Sequence, residues 1–341
     1  MRGGRVIAEQ VAQETCPGVG DALGRRDGRQ VRQGGTWLVG HDRGEITVRR
    51  LSDDPSRVFS ETAAFPEPCP GERGYATPAP DGLVVAGSDR VTSLAADGSV
   101  RWTFRHAAWP VDGLGRGACV VTPSGAVVLV TVTGRLMEDG YEGDLCVALD
   151  GASGEPLGER VLPTCSAAYG FQQSLGPSDV VFLSAGQGQD DAHSLLVSYA
   201  GDGIRALPAG PADEPFTGNS LDGVGFLKLT RGGEFLTRYE ATASGICRAG
   251  ADVAAATATA LEDPELCFAG SPGFLDRHRV LAAVAYDIWP EESRHLLLDA
   301  TSLEPPAEIA YPFAVSPEPV PLGDGTWITV RDDDVLRWRV R

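Results

Sequence analysis

Short strands separated by tight turns dominate the pattern of hydrophobic and polar positions. The clearest stretch is Asp81 to His106, DGLVVAGSDRVTSLAADGSVRWTFRH, in which three apolar runs are joined by short polar turns. Asp-Gly between alternating apolar runs predicts a hairpin, because both residues tolerate the positive φ of a type I′ turn. The stretch therefore predicts a β-meander, which needs neighbouring elements to bury its apolar faces.

The same pattern recurs along the chain. A small or polar turn precedes a clear apolar strand at seven places, roughly 43 to 54 residues apart. The strands are TWLVG, LVVAG, AVVLV, VVFLS, EFLTR, VLAAV and TWITV. Another apolar strand follows each of them, and several units end in a more polar fourth strand, which is typical of a β-propeller. We therefore predict an all-β fold, a single seven-bladed β-propeller of four-stranded antiparallel blades over residues 1–341.

The predicted blades follow this repeat. Their approximate boundaries are 27–65, 73–109, 116–165, 169–216, 222–266, 273–313 and 315–341, the last completed by residues 5–11. The chain ends at VLRWRVR without residues for a fourth strand, whereas RVIAEQV near the N-terminus has no other place in the repeat. We predict that this N-terminal segment completes the last blade and closes the ring, which leaves no long strand edge open. Residues 251–266 fit either an outer strand with an insertion or a short helix.

Two of the repeat units carry a family resemblance. DGSVRWTF and VALDGASGEPLG resemble the repeats of bacterial propellers of the WD40-like and pyrroloquinoline-quinone-like (PQQ-like) types, and as a pattern the resemblance covers nearly the whole chain. This resemblance implies a β-propeller fold. The repeated GH…WD signature is missing, and the six tryptophans occupy positions that are not equivalent between units. We therefore predict no quinone and no other cofactor.

Charge and composition limit the classes of partner that the protein can bind. The 43 glycines and 24 prolines suit many short strands and turns. A net charge of −18 argues against a nucleic-acid or anionic-membrane surface, because phosphate binding needs clustered Lys and Arg. No stretch approaches the roughly 18 to 20 apolar residues of a membrane span, and the N-terminus lacks the apolar core of a signal peptide. We expect a soluble, cytoplasmic monomer.

No metal site is predicted. The seven cysteines stand at wide, irregular spacing without a C-x-x-C pair, so we interpret most of them as buried thiols. The five histidines do not align at one strand level. The acidic run Asp332 to Asp334 is interpreted as a solvated hairpin turn, because it lacks alternating oxygen ligands.

The candidate site lies where the loops enter the presumed inner strands, since these loops meet at one rim of a propeller. Arg73 and Arg116 are predicted to clamp a carboxylate or phosphate. Asp27 and Asp222 are acid–base candidates, and Tyr75 or Tyr169 would orient the ligand. The alternative interpretation is that these charges pair with each other as rim salt bridges.

Other residues could extend this pocket. Further ligand-binding candidates are Tyr75, His106, Trp109, Gln172 and Asn219. Lys228 stands in the apolar run FLKLT, where it either points into a wet channel or snorkels to solvent.

Two functions stay open. The first is a binding or interaction module that presents its rim and central funnel to a protein, a peptide or a small anionic ligand. The alternative is a cofactor-independent enzyme, a lyase, cyclase, isomerase or hydrolase, with its site in the funnel. The Ala-, Gly- and Arg-rich composition looks like that of a high-GC actinobacterium, which by analogy favours a specialised-metabolite pathway for such an enzyme.

Overall fold

The elements that position the site are β-strands. The computed structural model describes residues 4–17, 19, 29–32, 35–42, 44–68, 74–109, 117–134, 136–137, 140–141, 143–164, 168–173, 179–187, 191–201, 203–210, 216–220, 225–230, 232–242, 245–248, 256–257, 265–286, 291–304 and 307–341. Most of the strands within these ranges belong to antiparallel sheets of four, in which the strands are neighbours in the order of the sequence.

After β1 (Gly4–Thr15), four such sheets follow one another. The first contains β2 (Arg29–Arg32), β3 (Gly35–Asp42), β4 (Glu45–Leu51) and β5 (Phe59–Pro66). The second contains β6 (Tyr75–Ala79), β7 (Gly82–Ala86), β8 (Arg90–Ala95) and β9 (Val100–Arg105). The third contains β10 (Cys119–Val121), β11 (Val127–Val132), β14 (Leu145–Asp150) and β15 (Pro156–Val161), with a hairpin of β12 (Leu136–Met137) and β13 (Gly140–Tyr141) between its second and third strands. The fourth contains β16 (Ala168–Gln173), β17 (Val180–Gln187), β18 (Asp191–Ala200) and β19 (Gly203–Pro208).

The remaining strands form two larger sheets. One contains β20 (Phe216–Asn219), β21 (Gly225–Leu229), β22 (Phe235–Thr242) and β23 (Gly245–Arg248), and β24 (Ala256–Thr257) also pairs with β22. The other contains β25 (Cys267–Phe274), β26 (Arg279–Ala285), β27 (Arg294–Asp299), β28 (Ala307–Ala310), β29 (Val320–Pro321), β30 (Thr326–Arg331) and β31 (Asp334–Val340) together with β1. Its strand order is β25-β26-β27-β28-β1-β31-β30-β29.

Strand β1 joins two parts of the eight-stranded sheet. Its first residues pair in parallel with β28, from Gly4 opposite Ala307 to Ile7 opposite Ala310. Its later residues pair antiparallel with β31, from Ala8 opposite Val340 onwards. The pairing with β28 was not foreseen from the sequence.

The sheet of β20 to β23 differs from the predicted repeat by one strand. The sequence pattern starts this unit at Asp222 and takes EFLTR as its second strand, but the sheet begins at Phe216 and EFLTR lies in the third strand. The run FLKLT is accordingly the second strand, not the innermost one. Of residues 251–266, the alternatives of strand or helix fall mostly outside the described residues, except for the short strand β24.

By its internal contacts the chain divides into two compact units. The first unit comprises residues 1–20, 52–60 and 213–341, and the second comprises residues 21–51 and 61–212. In the second unit β11, with sequence VVLVTV, is buried at every position, whereas the outer strand β15 is mostly exposed. In the first unit Trp327 and Trp338 stand opposite each other on β30 and β31 and are fully buried. Valine-rich inner strands and polar outer strands therefore divide the core from the surface.

Two turns show the repeat in atomic detail. In the turns that begin at Asp150 and Asp299, the carboxylate accepts hydrogen bonds from the backbone N–H groups two and three residues further on. Each turn then closes through a backbone bond of 2.8 Å, from Gly154 to Asp150 and from Leu303 to Asp299. Both closing residues have a positive φ, 74° and 57°. The two sheets thus use the same local turn chemistry.

Candidate functional site

Four of the predicted rim residues lie outside the described residues. They are Asp27, Arg73, Arg116 and Asp222. Their predicted roles as acid–base groups and anion clamps, and the funnel enzyme that depends on them, stay predictions. The other candidates have defined positions and divide between the two units.

Tyr169 is buried in the second unit and bound to a carboxyl group that the sequence analysis missed. Its hydroxyl donates to Asp144 Oδ2 at 2.5 Å and lies 2.7 Å from Thr164 Oγ1. The other Asp144 oxygen accepts the backbone N–H of Gly134 at 3.3 Å. A Cβ at Gly134 would lie 1.7 Å from the carbonyl oxygen of Gly143, so the close approach of the two segments requires glycine there. Asp144 is fully buried, and these hydrogen bonds offset its loss of hydration.

Trp109 and Tyr75 also lie in the interior of the second unit. The ring centroids of Trp109 and Tyr169 are 6.1 Å apart. The Tyr75 hydroxyl donates to the backbone oxygen of Phe171 at 3.2 Å, so this side chain reaches from β6 to β16, the first strands of two different sheets. Gln172 is half-buried on the same strand as Phe171. These side chains support the packing of the inner strands.

Asn219 and Lys228 belong to the first unit. Asn219 is half-buried at the end of β20. Lys228 is fully buried, with its Nζ 5.7 Å from the ring centroid of Phe216 and 5.6 Å from that of Tyr239. Aromatic faces attract an ammonium group at these distances, which stabilises a lysine away from water. The side chain therefore does not snorkel to solvent.

His106 follows the second sheet and is held against the turn between β7 and β8. Its backbone N–H donates to the carbonyl oxygen of Asp89 at 3.0 Å, and its ring Nδ1 lies 2.8 Å from the carbonyl oxygen of Ala107. Burial lowers the pKa of His106 below its ordinary value, so the ring is neutral at pH 7 and Nδ1 carries the proton. The backbone hydrogen bond to Asp89 places His106 beside the charged end of a groove.

The groove runs along strands β8 and β9 and has a volume of about 570 Å³. Its lining residues are Pro66, Pro68, Arg90, Thr92, Leu94, Gly98, Val100, Thr103 and Arg105. Six of these form three cross-strand pairs, Arg90 with Arg105, Thr92 with Thr103 and Leu94 with Val100. The groove is therefore basic at one end, hydroxyl-lined in the middle and apolar at the other end.

The basic end carries two guanidinium groups and one carboxylate. Asp89 accepts from Arg90 Nε at 2.5 Å and from Arg90 Nη2 at 3.2 Å, and these hydrogen bonds hold the pKa of Asp89 below its ordinary value. Arg105 lies further away, with Nη1 3.9 Å from Asp89 Oδ2, and its side chain is 72% exposed. Arg90 and Arg105 thus place two guanidinium groups at one end of the groove, in a chain of net charge −18.

This groove was not predicted from the sequence. Arg90 opens one strand of the DG hairpin and Arg105 ends the next, and a hairpin turn brings such positions together. That signal was available. No signal in the sequence indicated the apolar pair. The register shifts between Ser93 and Leu94, and this shift sets Val100, not Arg101, opposite Leu94.

Two kinds of feature are absent from the described part of the chain. Within it, no cluster of three or more His, Cys, Asp or Glu side chains is placed to hold a metal ion. In the same residues, no helix has the length and apolar character needed to cross a membrane.

Comparisons with known proteins identify the fold. No protein-family model and no curated protein matches the sequence. The structure is similar to the WD40 domain of Pan2 from Neurospora crassa, with a TM-score of 0.54 and 10% identity over 99% of this chain and 96% of that one. It is also similar to hydrazine synthase from Kuenenia stuttgartiensis, with a TM-score of 0.52 and 11% identity over 91% of this chain and 94% of that one. For the dihydro-heme d1 dehydrogenase NirN the TM-score is 0.50 and the identity 16%, over 89% of this chain and 58% of that one.

These structures bear out the resemblance to WD40 and PQQ-like propellers at the level of the fold. The chain is a β-propeller of small antiparallel blades. At identities of 10% to 16% the likeness extends to the fold alone.

Proposed function

We propose that the sheets are the seven blades of one ring, closed where β1 pairs with β31. Support comes from the four-stranded groups, from the shared turns at Asp150 and Asp299, and from the antiparallel pairing of Ala8 to Thr15 with the last strand. Closure of this kind covers strand edges that would otherwise be open. A crystal structure tests it directly, and a blade count other than seven would contradict it.

We propose further that the protein is an interaction module and that the groove on β8 and β9 is its binding surface. One observation carries this proposal, the cross-strand pair of Arg90 and Arg105 at the end of an open groove. Like charges directly opposite each other destabilise a sheet; Asp89 bonds Arg90 at 2.5 Å, whereas its contact with the 72% exposed Arg105 is 3.9 Å long. An anionic group on a partner would offset the charge of Arg105. A propeller scaffold holds such a surface on rigid strands, which suits recognition.

A peptide array tests the proposal. The purified protein is applied to an array of short peptides of varied charge, together with two charge-reversal variants. Arg105→Glu removes the exposed guanidinium of the groove, and Arg101→Glu is the matched control, because Arg101 lies exposed on the same strand but does not line the groove. We expect the wild type and Arg101→Glu to retain the same acidic peptides and Arg105→Glu to lose them. The proposal is wrong if the wild type binds no peptide, or if both variants lose binding equally.

A further inference from the structure

The three cross-strand pairs of the groove follow one another at every second residue of β8, and on β9 the bulge adds one residue between Thr103 and Val100. Residues two apart on a strand face the same side, so Arg90, Thr92 and Leu94 follow one another at intervals of about 7 Å. An extended peptide has the same period between its alternate side chains. Three alternate side chains of such a peptide would therefore meet the three pairs in turn.

The two ends of the groove differ in what they can bind. At the basic end, the Arg105 side chain is 72% exposed, so a carboxylate on a partner can reach its guanidinium group. The Arg105 guanidinium has donors available for a bidentate contact, since its described ionic contact is one of 3.9 Å.

The apolar end of the groove combines an exposed valine with a buried leucine. Val100 is 62% exposed, whereas Leu94 is only 1% exposed and forms the floor. Pro66 packs against the turn at Gly98, where a Cβ would lie 2.9 Å from the proline Cδ. An exposed valine beside two prolines offers a partner apolar surface that is otherwise in contact with water.

We infer that the occupant of this groove is an extended peptide segment of a partner protein. Its inward side chains, at alternate positions, are a carboxylate, a small residue and an aliphatic residue, in either chain direction. The carboxylate binds Arg105, the small residue lies over Thr103, whose cross-strand partner Thr92 is buried, and the aliphatic side chain contacts Val100. This inference rests on the proposed function and names the partner chemistry of the same site.

The test uses labelled synthetic peptides that are acetylated and amidated, so that the only charge is the one intended. The reference peptides carry Glu, Ser and Leu at alternate positions, SEGSGLS and its reverse order, and binding is followed by fluorescence anisotropy. Moving the leucine by one residue, as in SEGSLGS, turns it away from the groove. We expect the shifted peptide and the Arg105→Glu variant each to lose affinity by about tenfold. Arg101→Glu should bind like the wild type.

A second variant isolates the apolar end. Val100→Ser removes an exposed apolar contact without touching the core, so it should weaken the leucine peptide severalfold and leave a peptide with glycine in that place unchanged. Equal binding of the reference and shifted peptides would overturn the inference while leaving the interaction module in place. Tighter binding of a phosphoserine peptide than of the glutamate peptide would also overturn it. Absence of binding by every peptide here and on the array would instead contradict the proposed function itself.

Discussion

Some buried polar side chains of this protein have a hydrogen-bond partner for each of their nitrogen atoms. His295 is an example, because it is 2% exposed and both of its ring nitrogens have partners. Nδ1 lies 2.7 Å from the Tyr311 hydroxyl and Nε2 lies 3.1 Å from the carbonyl oxygen of Pro317. The Trp327 indole donates to the same Tyr311 hydroxyl at 2.8 Å. The hydroxyl therefore donates to Nδ1, Nε2–H donates to the carbonyl oxygen, and the imidazole is neutral.

This arrangement makes stability depend on pH. Burial lowers the pKa of His295 to about 4, whereas the unfolded chain has the ordinary value of about 6.5. The unfolded state therefore binds the proton first, and stability falls by up to about 1.4 kcal/mol per pH unit as the pH drops from about 6.5 towards 4. Urea unfolding at about pH 7 and about pH 5.5 measures the difference.

The control for this prediction is His295→Gln, which cannot titrate in that range. The wild type should lose more stability between the two pH values than the variant does. An equal loss in both proteins would show that His295 is not the group responsible. The carboxylates whose pKa values are lowered, such as Asp276 and Asp299, act only below about pH 4 and do not interfere.

At the scale of elements, turns and bulges determine which side chains meet. The turn that begins at Asp150 places Gly154 against the ring of Trp102, whose indole donates to the carbonyl oxygen of Gly151 at 3.1 Å. The corresponding turn places Leu303 at a positive φ, where burial of the side chain offsets the backbone cost. One turn geometry thus accepts two residue types because their surroundings differ.

Substituting Gly154 by alanine should destabilise the protein. The new Cβ would lie 2.6 Å from the Trp102 ring, and alanine is strained at a φ of 74°. We expect a loss of about 1 to 3 kcal/mol in the free energy of unfolding, measured by urea denaturation. Gly158→Ala is the matched control, since nothing lies within 4 Å of its Cβ position. Equal midpoints for the two variants would contradict the packing argument.

At the largest scale, a few buried side chains bind parts of the chain that are far apart in sequence. In the first unit, Arg337 is 1% exposed and its Nη1 donates to the carbonyl oxygens of Ser52, Asp54 and Arg57 at 2.6, 3.1 and 2.8 Å. Its Nη2 donates to Asp324 Oδ2 at 2.5 Å. The last strand thereby holds residues 52–57, some 280 positions earlier in the chain.

Replacing Arg337 by lysine should cost about 3 kcal/mol of stability, although the charge is kept. An ammonium group cannot match the planar fork that satisfies several acceptors at once, so buried carbonyl oxygens would be left without donors. The urea midpoint measures the change. Arg339→Lys, on the same strand but 52% exposed, should change stability by no more than about 0.5 kcal/mol. Similar effects of both substitutions would refute the role of Arg337.

Much of the fold could be predicted because its signals are local. Turn residues such as Asp97 and Gly98 and the alternation of the flanking strands depend on a few neighbouring positions. The candidate site was harder, since loop composition does not determine what a loop residue contacts. Tyr75 and Tyr169 were predicted to lie at the rim, but they are the first residue of β6 and the second residue of β16, and both are buried and hydrogen-bonded.

The sequence by itself therefore determined the class of fold, the approximate period of its strands and most hairpins, because these follow from backbone preferences and side-chain alternation. Tertiary structure alone decided which strand of residues 216–248 comes first, because turn signals such as Asp222-Gly223 mark the ends of strands but not which strand begins a sheet. It also decided the chemistry of the groove. A bulge of one residue sets Val100 in the place that strict alternation assigns to Arg101, and that exchange makes one end of the groove apolar while Arg90 and Arg105 keep the other end basic.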